Sequence, residues 1–176
     1  MRALVVYESM FGNAQRVTKA IADGLSDAHC MVEVDEVAEA PDHVADTVDL
    51  IVVGGPTHTF GLTRPATRAS AAEASPDAVV SRGNGVREWL EELAASEGGT
   101  RAVAFATRAG RPRFLKYIGS VSKTIERRLA ARGYQPLAHH ESFFVGGKQG
   151  PLEEGEEERA RAWGRTLGER LHELRG

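Results

Sequence analysis

The chain has a single cysteine, Cys30, in 176 residues, and this scarcity excludes a disulfide framework and a metal site built from several cysteines. No apolar run approaches the roughly 20 residues that a membrane-spanning helix needs. Neither sign of charge dominates, because 22 basic residues stand against 25 acidic ones and the net charge is −3. That balance gives no general reason to expect nucleic-acid binding. We therefore expect neither a nucleic-acid partner nor a membrane partner.

The first residues lack the pattern of a secretory leader, since Arg2 leads straight into a short apolar run with no small-residue cleavage site behind it. We therefore expect a cytoplasmic protein. The length and the 41% of hydrophobic residues suit one core, and they predict a single domain over residues 1–176. The oligomeric state does not follow from the sequence.

Short apolar runs bounded by turn residues alternate with segments of helical periodicity, which predicts an α/β fold with a parallel sheet covered by helices on both faces. The predicted strands are Arg2 to Glu8, Met31 to Val37, Asp49 to Gly54, Arg101 to Thr107 and Gln135 to Phe144. The predicted helices are Asn13 to Leu25, a segment within Arg64 to Ala74, Val86 to Ser96, Ser120 to Arg132 and Glu154 to Leu174. The stretch from Pro76 to Gly85 is predicted to be a surface connection.

Ligands of such sheets bind outside the carboxyl ends of the strands, so the loops that follow the strands are the candidate site. The first strand is followed by Ser9, Met10, Phe11, Gly12, Asn13 and Ala14. Free backbone N–H groups at a helix start, the polar side chains of Ser9 and Asn13, and the close approach that Gly12 allows all suit a phosphate monoester. The alternative is an ordinary strand-to-helix turn capped by Asn13.

The loop after the third strand presents an imidazole, hydroxyls and an aromatic ring. Its candidate residues are Pro56, Thr57, His58, Thr59, Phe60 and Gly61. A flat aromatic ligand could stack on His58 or Phe60; alternatively, Phe60 fastens the loop to the core. The loop after the fourth strand offers Thr107, Arg108, Gly110, Arg111 and Arg113. Its arginines either bind an anion or are solvated surface charges.

These three loops, in this order, resemble those of the flavodoxin family. The family pattern of an apolar strand, an aromatic residue and a serine two positions later is matched by Val5, Val6, Tyr7, Ser9 and Gly12. The stretch "GGPTHTFG" is similar to the family's Gly-x-Pro-Thr followed by an aromatic residue and glycine. The resemblance implies a doubly wound five-stranded sheet of order 2-1-3-4-5. It also implies noncovalent binding of FMN, with the second loop beside the isoalloxazine ring.

Two features depart from the family pattern. Ala14 stands where the family has a phosphate-binding threonine, and Thr18 stands where it has alanine. A hydroxyl hydrogen bond to a charged phosphate contributes roughly 1.5–3 kcal/mol, so we expect FMN to bind about one to two decades more weakly. The third loop has arginines where flavodoxins often have acidic and aromatic residues. A cation about 8 Å from the flavin would favour the anionic reduced form by roughly 2 kcal/mol.

Two other families with this kind of sheet are excluded by what the loops lack. A response-regulator receiver needs an acidic pair after the first strand and an aspartate at the end of the third, but only Glu8 follows the first strand and Asp49 precedes the third. A low-molecular-weight phosphatase needs a cysteine in the first loop, which has none. Gly12 stands alone, so no dinucleotide-binding Gly-x-Gly-x-x-Gly occurs.

The resemblance therefore implies an electron-transfer flavoprotein in which FMN carries the electrons and no residue acts as a catalyst. Its partner would be another redox protein. One alternative is an NAD(P)H-dependent quinone or flavin reductase, in which Arg108 to Arg113 hold the dinucleotide phosphates. A second alternative, favoured by Ala14, is a binding module of the same fold without a cofactor. No metal site is expected, because His139 and His140 are consecutive on a strand and point to opposite faces.

Overall fold

Six strands and five helices lie within the described part of this computed structural model, which covers residues 1–57, 61–74, 79–110, 121–147 and 149–175. The strands are β1 (Arg2–Tyr7), β2 (Met31–Glu36), β3 (Leu50–Pro56), β4 (Arg101–Ala109), β5 (Gln135–Pro136) and β6 (Glu141–Val145). The helices are α1 (Asn13–Asp27), α2 (Pro65–Ala74), α3 (Val86–Glu92), α4 (Val121–Ala130) and α5 (Glu156–Glu173). Within these ranges, no helix is long and apolar enough to cross a membrane.

All strand pairs of the sheet are parallel, and the order is β2-β1-β3-β4-β5, with β6 also paired to β4. The predicted doubly wound order 2-1-3-4-5 is confirmed. The single fifth strand predicted from Gln135 to Phe144 is wrong, because β5 and β6 pair with the two ends of β4 and residues 137–140 leave the ladder. Pro136 has no N–H to donate to a neighbouring strand. In the segment between β5 and β6, the His140 ring contacts the Glu126 carboxylate of α4 at 2.8 Å.

The other predicted bounds agree with the structure to within two residues, apart from two cases. The third helix ends at Glu92 and not at Ser96, because Leu93 turns to extended backbone with ψ of 124°. Ser120, the predicted start of the fourth helix, lies outside the described residues.

Each strand sends alternate side chains to opposite faces of the sheet, and this alternation divides the core in two. Leu4 and Val6 of β1 pack with the buried side of α3 and α4, which we call the α3/α4 face. Ala3, Val5 and Tyr7 pack with α1 and α5, which we call the α1/α5 face. The central strands are therefore buried on both sides, as their continuous apolar runs predict.

The register of the strands brings the three candidate loops to one edge of the sheet. Tyr7 at the end of β1 pairs with Gly54 of β3, and Pro56 at the end of β3 pairs with Thr107 of β4. Ala109, the last residue of β4, pairs with Val145. The loops that follow β1, β3 and β4 therefore begin side by side.

Candidate functional site

The first loop, residues Glu8–Gly12, turns β1 directly into α1. Gly12 has a φ of 80°, a left-handed conformation that a side chain disfavours, and it stands at the N-cap of the helix without any side-chain cap. The alternative interpretation, a turn capped by the side chain of Asn13, is therefore wrong. The positive end of a 15-residue helix is left open at this turn.

Five consecutive backbone N–H groups lie at this turn without an acceptor among the described residues. They belong to Met10, Phe11, Gly12, Asn13 and Ala14. A Cβ built on Gly12 would meet no atom of the described residues within 4 Å, so these residues leave the space beside Gly12 open. Such a run of free amides at a helix start forms an anion site.

The side chains of Ser9 and Asn13 do not point into that open space as the sequence suggested; both bind the protein itself. The Ser9 hydroxyl is fully buried and accepts a hydrogen bond from the Gln15 N–H at 3.3 Å. The Asn13 amide donates to the carbonyl oxygen of Gln149 at 2.9 Å and ties the loop before α5 to the first loop. Met10 is buried against Ala71, with Phe11 packed beside it. The binding capacity of the first loop thus lies in its backbone.

The second loop begins at Thr57, next to β4. Its N–H donates to the Thr107 carbonyl oxygen at 2.8 Å, which fixes Thr57 at the carboxyl edge of the sheet. The Oγ1 atom of Thr57 is buried and has no hydrogen-bond partner in the described part of the chain. His58, Thr59 and Phe60 lie outside the described residues. Pro56 belongs to β3, and Gly61 is partly exposed at the far end of the loop.

Arg108 is part of β4 and not of the loop after it, because the strand continues to Ala109. Its side chain is buried, and burial lowers the pKa of its guanidinium. Alternation along β4 places it on the α3/α4 face. The interpretation of Arg108 as a solvated loop charge is therefore wrong. Arg111 and Arg113 lie outside the described residues, while Gly110 follows the strand and donates its N–H to the Val145 carbonyl oxygen at 3.1 Å.

A buried carboxylate stands behind the first loop. Glu8 is fully buried and accepts hydrogen bonds from the Thr63 hydroxyl and, at 2.9 Å, from the Val86 N–H at the start of α3. Arg68 of α2 donates to Thr63 at 3.0 Å and pairs with Glu88 at 3.0 Å. Burial raises the pKa of Glu8 despite these hydrogen bonds and the charge of Arg68.

Ser81 is a site residue that the sequence analysis missed. The segment from Pro76 to Gly85 was predicted to lie on the surface, yet Val79 and Ser81 are buried. The Ser81 hydroxyl accepts the Ser9 N–H at 2.9 Å. The prediction of a surface connection is therefore wrong for Val79, Ser81 and Gly85, which are buried, whereas Val80 and residues 82–84 are exposed. The apolar pair "VV" just before Ser81 is the one local signal of burial.

The sequence profile of the flavodoxin family matches residues 5–163. The chain belongs to the flavodoxin family. Flavodoxins bind FMN and transfer electrons to redox partners. No curated protein matches the chain.

Solved structures show the flavodoxin fold over the whole chain. The flavodoxin of Streptococcus pneumoniae TIGR4 is 18% identical, with a TM-score of 0.65 and 99% of each chain covered. Oxidised flavodoxin 1 from Bacillus cereus is 16% identical, with a TM-score of 0.65, 96% of this chain and 98% of that chain covered. A flavodiiron protein from Giardia intestinalis is 18% identical, with a TM-score of 0.57, 98% of this chain and 36% of that chain covered.

The residues of this flavodoxin fit FMN at its phosphate end. The five free amides match the charge and the acceptor oxygens of a phosphate monoester, and no side chain of the described residues lies within 4 Å of a Cβ built on Gly12. The buried Thr57 hydroxyl, which has no partner among the described residues, is a further polar group at the same edge of the sheet. Within the described residues, no group of three or more His, Cys, Asp or Glu side chains could hold a metal ion.

Proposed function

We propose that this flavodoxin is an electron shuttle in which the first loop holds the phosphate of FMN and the second and third loops flank the flavin. FMN supplies the electron-carrying group when bound. The residues of the chain bind that group, orient it and keep water from it. The observation that carries the proposal is the run of five free amides from Met10 to Ala14.

The phosphate would be held without any side-chain hydroxyl of α1, since the position that could supply one is Ala14. Backbone amides and the helix dipole are sufficient for an anion site. Each hydrogen bond to the charged phosphate that is missing nevertheless lowers the affinity. The Ser9 hydroxyl already accepts the Gln15 N–H. The Thr57 hydroxyl, at the start of the second loop, is buried without a partner in the described ranges, and we assign it as a hydrogen-bonding group for FMN.

Comparing FMN with riboflavin tests the proposal directly, because the two ligands differ only in the phosphate. Titration of the apoprotein followed by quenching of flavin fluorescence should give at least tenfold tighter binding of FMN. Equal affinities would mean that the first loop holds no phosphate. Absence of quenching by either ligand at tens of micromolar would support a module without a cofactor.

Replacing Ala14 with threonine should tighten FMN about ten- to hundredfold, because a hydroxyl bonded to a charged phosphate contributes roughly 1.5–3 kcal/mol. Riboflavin affinity should stay the same in Ala14→Thr. Fluorescence titration with both ligands measures the change.

The matched control is Ala14→Val, which adds the same volume without a hydroxyl at a position that is only 1% exposed. Thr18→Ala is a second control, since the Thr18 hydroxyl lies one turn further along α1, is buried and has no partner in the part of the chain that the structure describes. If threonine and valine at position 14 change FMN affinity equally, the phosphate lies elsewhere.

The second candidate function, an NAD(P)H-dependent reductase, loses support from the burial of Arg108. A guanidinium that is 8% exposed within β4 is poorly placed to hold the phosphates of a dinucleotide. Steady-state oxidation of NAD(P)H with a quinone separates the two functions. We expect no turnover by this protein alone and rapid electron exchange with a flavodoxin reductase.

A further inference from the structure

The first loop is hydrogen-bonded to a segment that lies far from it along the chain. This brace segment, residues Val79–Gly85, runs along the back of the loop. The Ser81 N–H donates to the Ser9 carbonyl oxygen at 2.9 Å, and the Val80 N–H donates to the Met10 carbonyl oxygen at 3.0 Å. The Ser81 hydroxyl accepts the Ser9 N–H at 2.9 Å. Three hydrogen bonds therefore fix two successive residues of the loop.

The two ends of the brace segment are anchored independently. At its start, Val79 is buried in a small cluster with Met10 and Ala71 of α2. At its end, Gly85 donates its N–H to the Glu88 carboxylate at 2.9 Å, and the next residue, Val86, donates to Glu8. The segment itself is thus hydrogen-bonded to Ser9 and Met10, and the first residue of α3, directly after the segment, is hydrogen-bonded to Glu8.

The Ser81 hydroxyl binds the N–H of Ser9, the residue just before the five free amides. The Ser9 N–H is bonded to Ser81, whereas the amides from Met10 onward are open. Both serines have no exposed surface. This division leaves the ligand-facing amides available while the preceding peptide is fixed from the interior.

We propose that Ser81 is a positioning residue that holds the first loop ready for phosphate before FMN binds, a proposal that rests on the function proposed above. Ser81 does not touch the ligand. A loop that is already ordered loses less conformational freedom on binding, so the bound state is reached from a larger fraction of the free protein. Losing the hydrogen bond between Ser81 and Ser9 lowers the fraction of free protein whose first loop is ordered, and the apparent affinity for FMN falls in proportion.

The effect of Ser81→Ala should lie in association. With a competent loop in only about a tenth of the molecules, the association rate constant for FMN falls about tenfold and the dissociation rate constant stays within about twofold. Stopped-flow fluorescence quenching gives both constants. Ser81→Cys keeps the size of the side chain with a weaker acceptor, and it should lie between the wild type and the alanine variant.

The matched control is Ser122→Ala, which removes another fully buried serine hydroxyl, on α4. It reports the cost of losing a buried hydroxyl that belongs to neither the first loop nor the brace segment. All rates are measured well below the unfolding temperature of each variant, so a general loss of stability does not enter the comparison.

A readout without ligand completes the experiment. Backbone ¹⁵N order parameters of Met10 to Gly12 in the apoprotein should fall from about 0.85 toward 0.6 in Ser81→Ala and stay unchanged in Ser122→Ala. Unchanged order parameters, or association rates equal to those of Ser122→Ala, overturn the role of Ser81. If wild-type protein fails to bind FMN, the proposed function falls, and the order parameters alone still decide whether Ser81 orders the loop.

Discussion

The two faces of the sheet are stabilised by different kinds of contact. On the α1/α5 face, the helices meet through apolar side chains and through glycines that let their backbones touch. A Cβ on Gly164 of α5 would lie 2.3 Å from the carbonyl oxygen of Ile21, and one on Gly24 of α1 would lie 2.0 Å from that of Arg161. The polar contacts between these helices lie at the exposed rim.

The α3/α4 face also has an apolar core, but buried polar groups lie on it near the carboxyl end of β1. Glu8, Thr63, Arg68 and Ser81 are all less than 9% exposed, and each has hydrogen-bond partners. Buried polar groups are costly unless every member is satisfied, and satisfied networks fix geometry. The comparison teaches that close packing fixes the position of α1, whereas a polar network fixes the backbone of the loop that precedes it.

The largest effect is expected from breaking the α1/α5 face with Gly164→Ala. By helix propensity alone, this change should stabilise α5 by up to about 1 kcal/mol. The new methyl group would meet backbone atoms of Ile21 that cannot move aside, and overpacking of this kind costs about 3 kcal/mol. We expect a clear loss in the free energy of unfolding, measured by urea denaturation.

The sign of the Gly164→Ala effect is decisive because the two contributions oppose each other. Gly168→Ala serves as the graded control, since its nearest neighbour is the Ala28 side chain at 2.6 Å and not a backbone atom. Gly168→Ala should lower the free energy of unfolding by less than Gly164→Ala does. A stabilised Gly164→Ala protein would show that α1 and α5 have room between them.

The next effect concerns the network on the other face, through Glu8→Gln. Burial raises the pKa of Glu8 above its ordinary value of 4.5, so the native state holds this proton more tightly than the unfolded chain. The contribution of Glu8 is therefore full below about pH 4.5 and is lost as pH rises through the folded-state pKa. Glutamine does not titrate, so the free energy of unfolding of Glu8→Gln should rise relative to that of the wild type as pH increases from about 4.5 through the folded-state pKa.

Urea denaturation at a series of pH values from 4 to 8 measures this difference. At the acid end the two proteins should have similar free energies of unfolding, because protonated Glu8 and glutamine each have one carbonyl oxygen to accept a hydrogen bond from Thr63 or Val86; as pH rises, Glu8→Gln should become the more stable. Glu92→Gln, an exposed position on α3, controls for the loss of one negative charge. Parallel pH profiles of the variant and the wild type would contradict the raised pKa.

Local sequence patterns were sufficient to predict most of this fold. The apolar runs of β1, β3 and β4 are buried on both faces and so show no alternation, which distinguishes them from half-buried strands. Turn residues after each run mark the candidate loops, and the register of parallel strands brings those loops together. The free amides of the first loop also follow from a local rule, since Gly12 leads directly into a helix.

The residues that sequence reasoning misplaced depend on contacts that are distant along the chain. Ser81 lies 72 positions from Ser9, and nothing in "ASPDAVVSRGNG" indicates an acceptor for that amide. Glu8 is buried because Thr63 and Val86 converge on it from two other segments. The sequence predicts that the fourth strand ends at Thr107, which puts Arg108 in the loop, whereas β4 continues to Ala109 and the Arg108 side chain is buried. Each error reflects tertiary context that outweighs composition.

The smallest effect is expected at the rim of the α1/α5 face, from Asp27→Asn. Asp27 ends α1 and contacts Arg161 at 2.8 Å and Arg165 at 3.0 Å. Hydrogen bonds from both arginines hold the pKa of Asp27 well below its ordinary 3.8. Because that pKa is depressed, the stabilisation is present above pH 3.8 and is lost as pH falls through the folded-state pKa.

Two interactions oppose each other at Asp27, and their balance tests what holds the two helices together. The arginines favour the carboxylate, whereas the negative end of the α1 dipole disfavours it. We expect a slight loss of stability in Asp27→Asn at pH 7 that disappears in 1 M salt, since exposed ion pairs are screened. Asp23→Asn, exposed one turn earlier, is the control for charge alone. A variant more stable than the wild type at pH 7 would mean that the dipole outweighs the pair, so that close packing alone would hold α1 against α5.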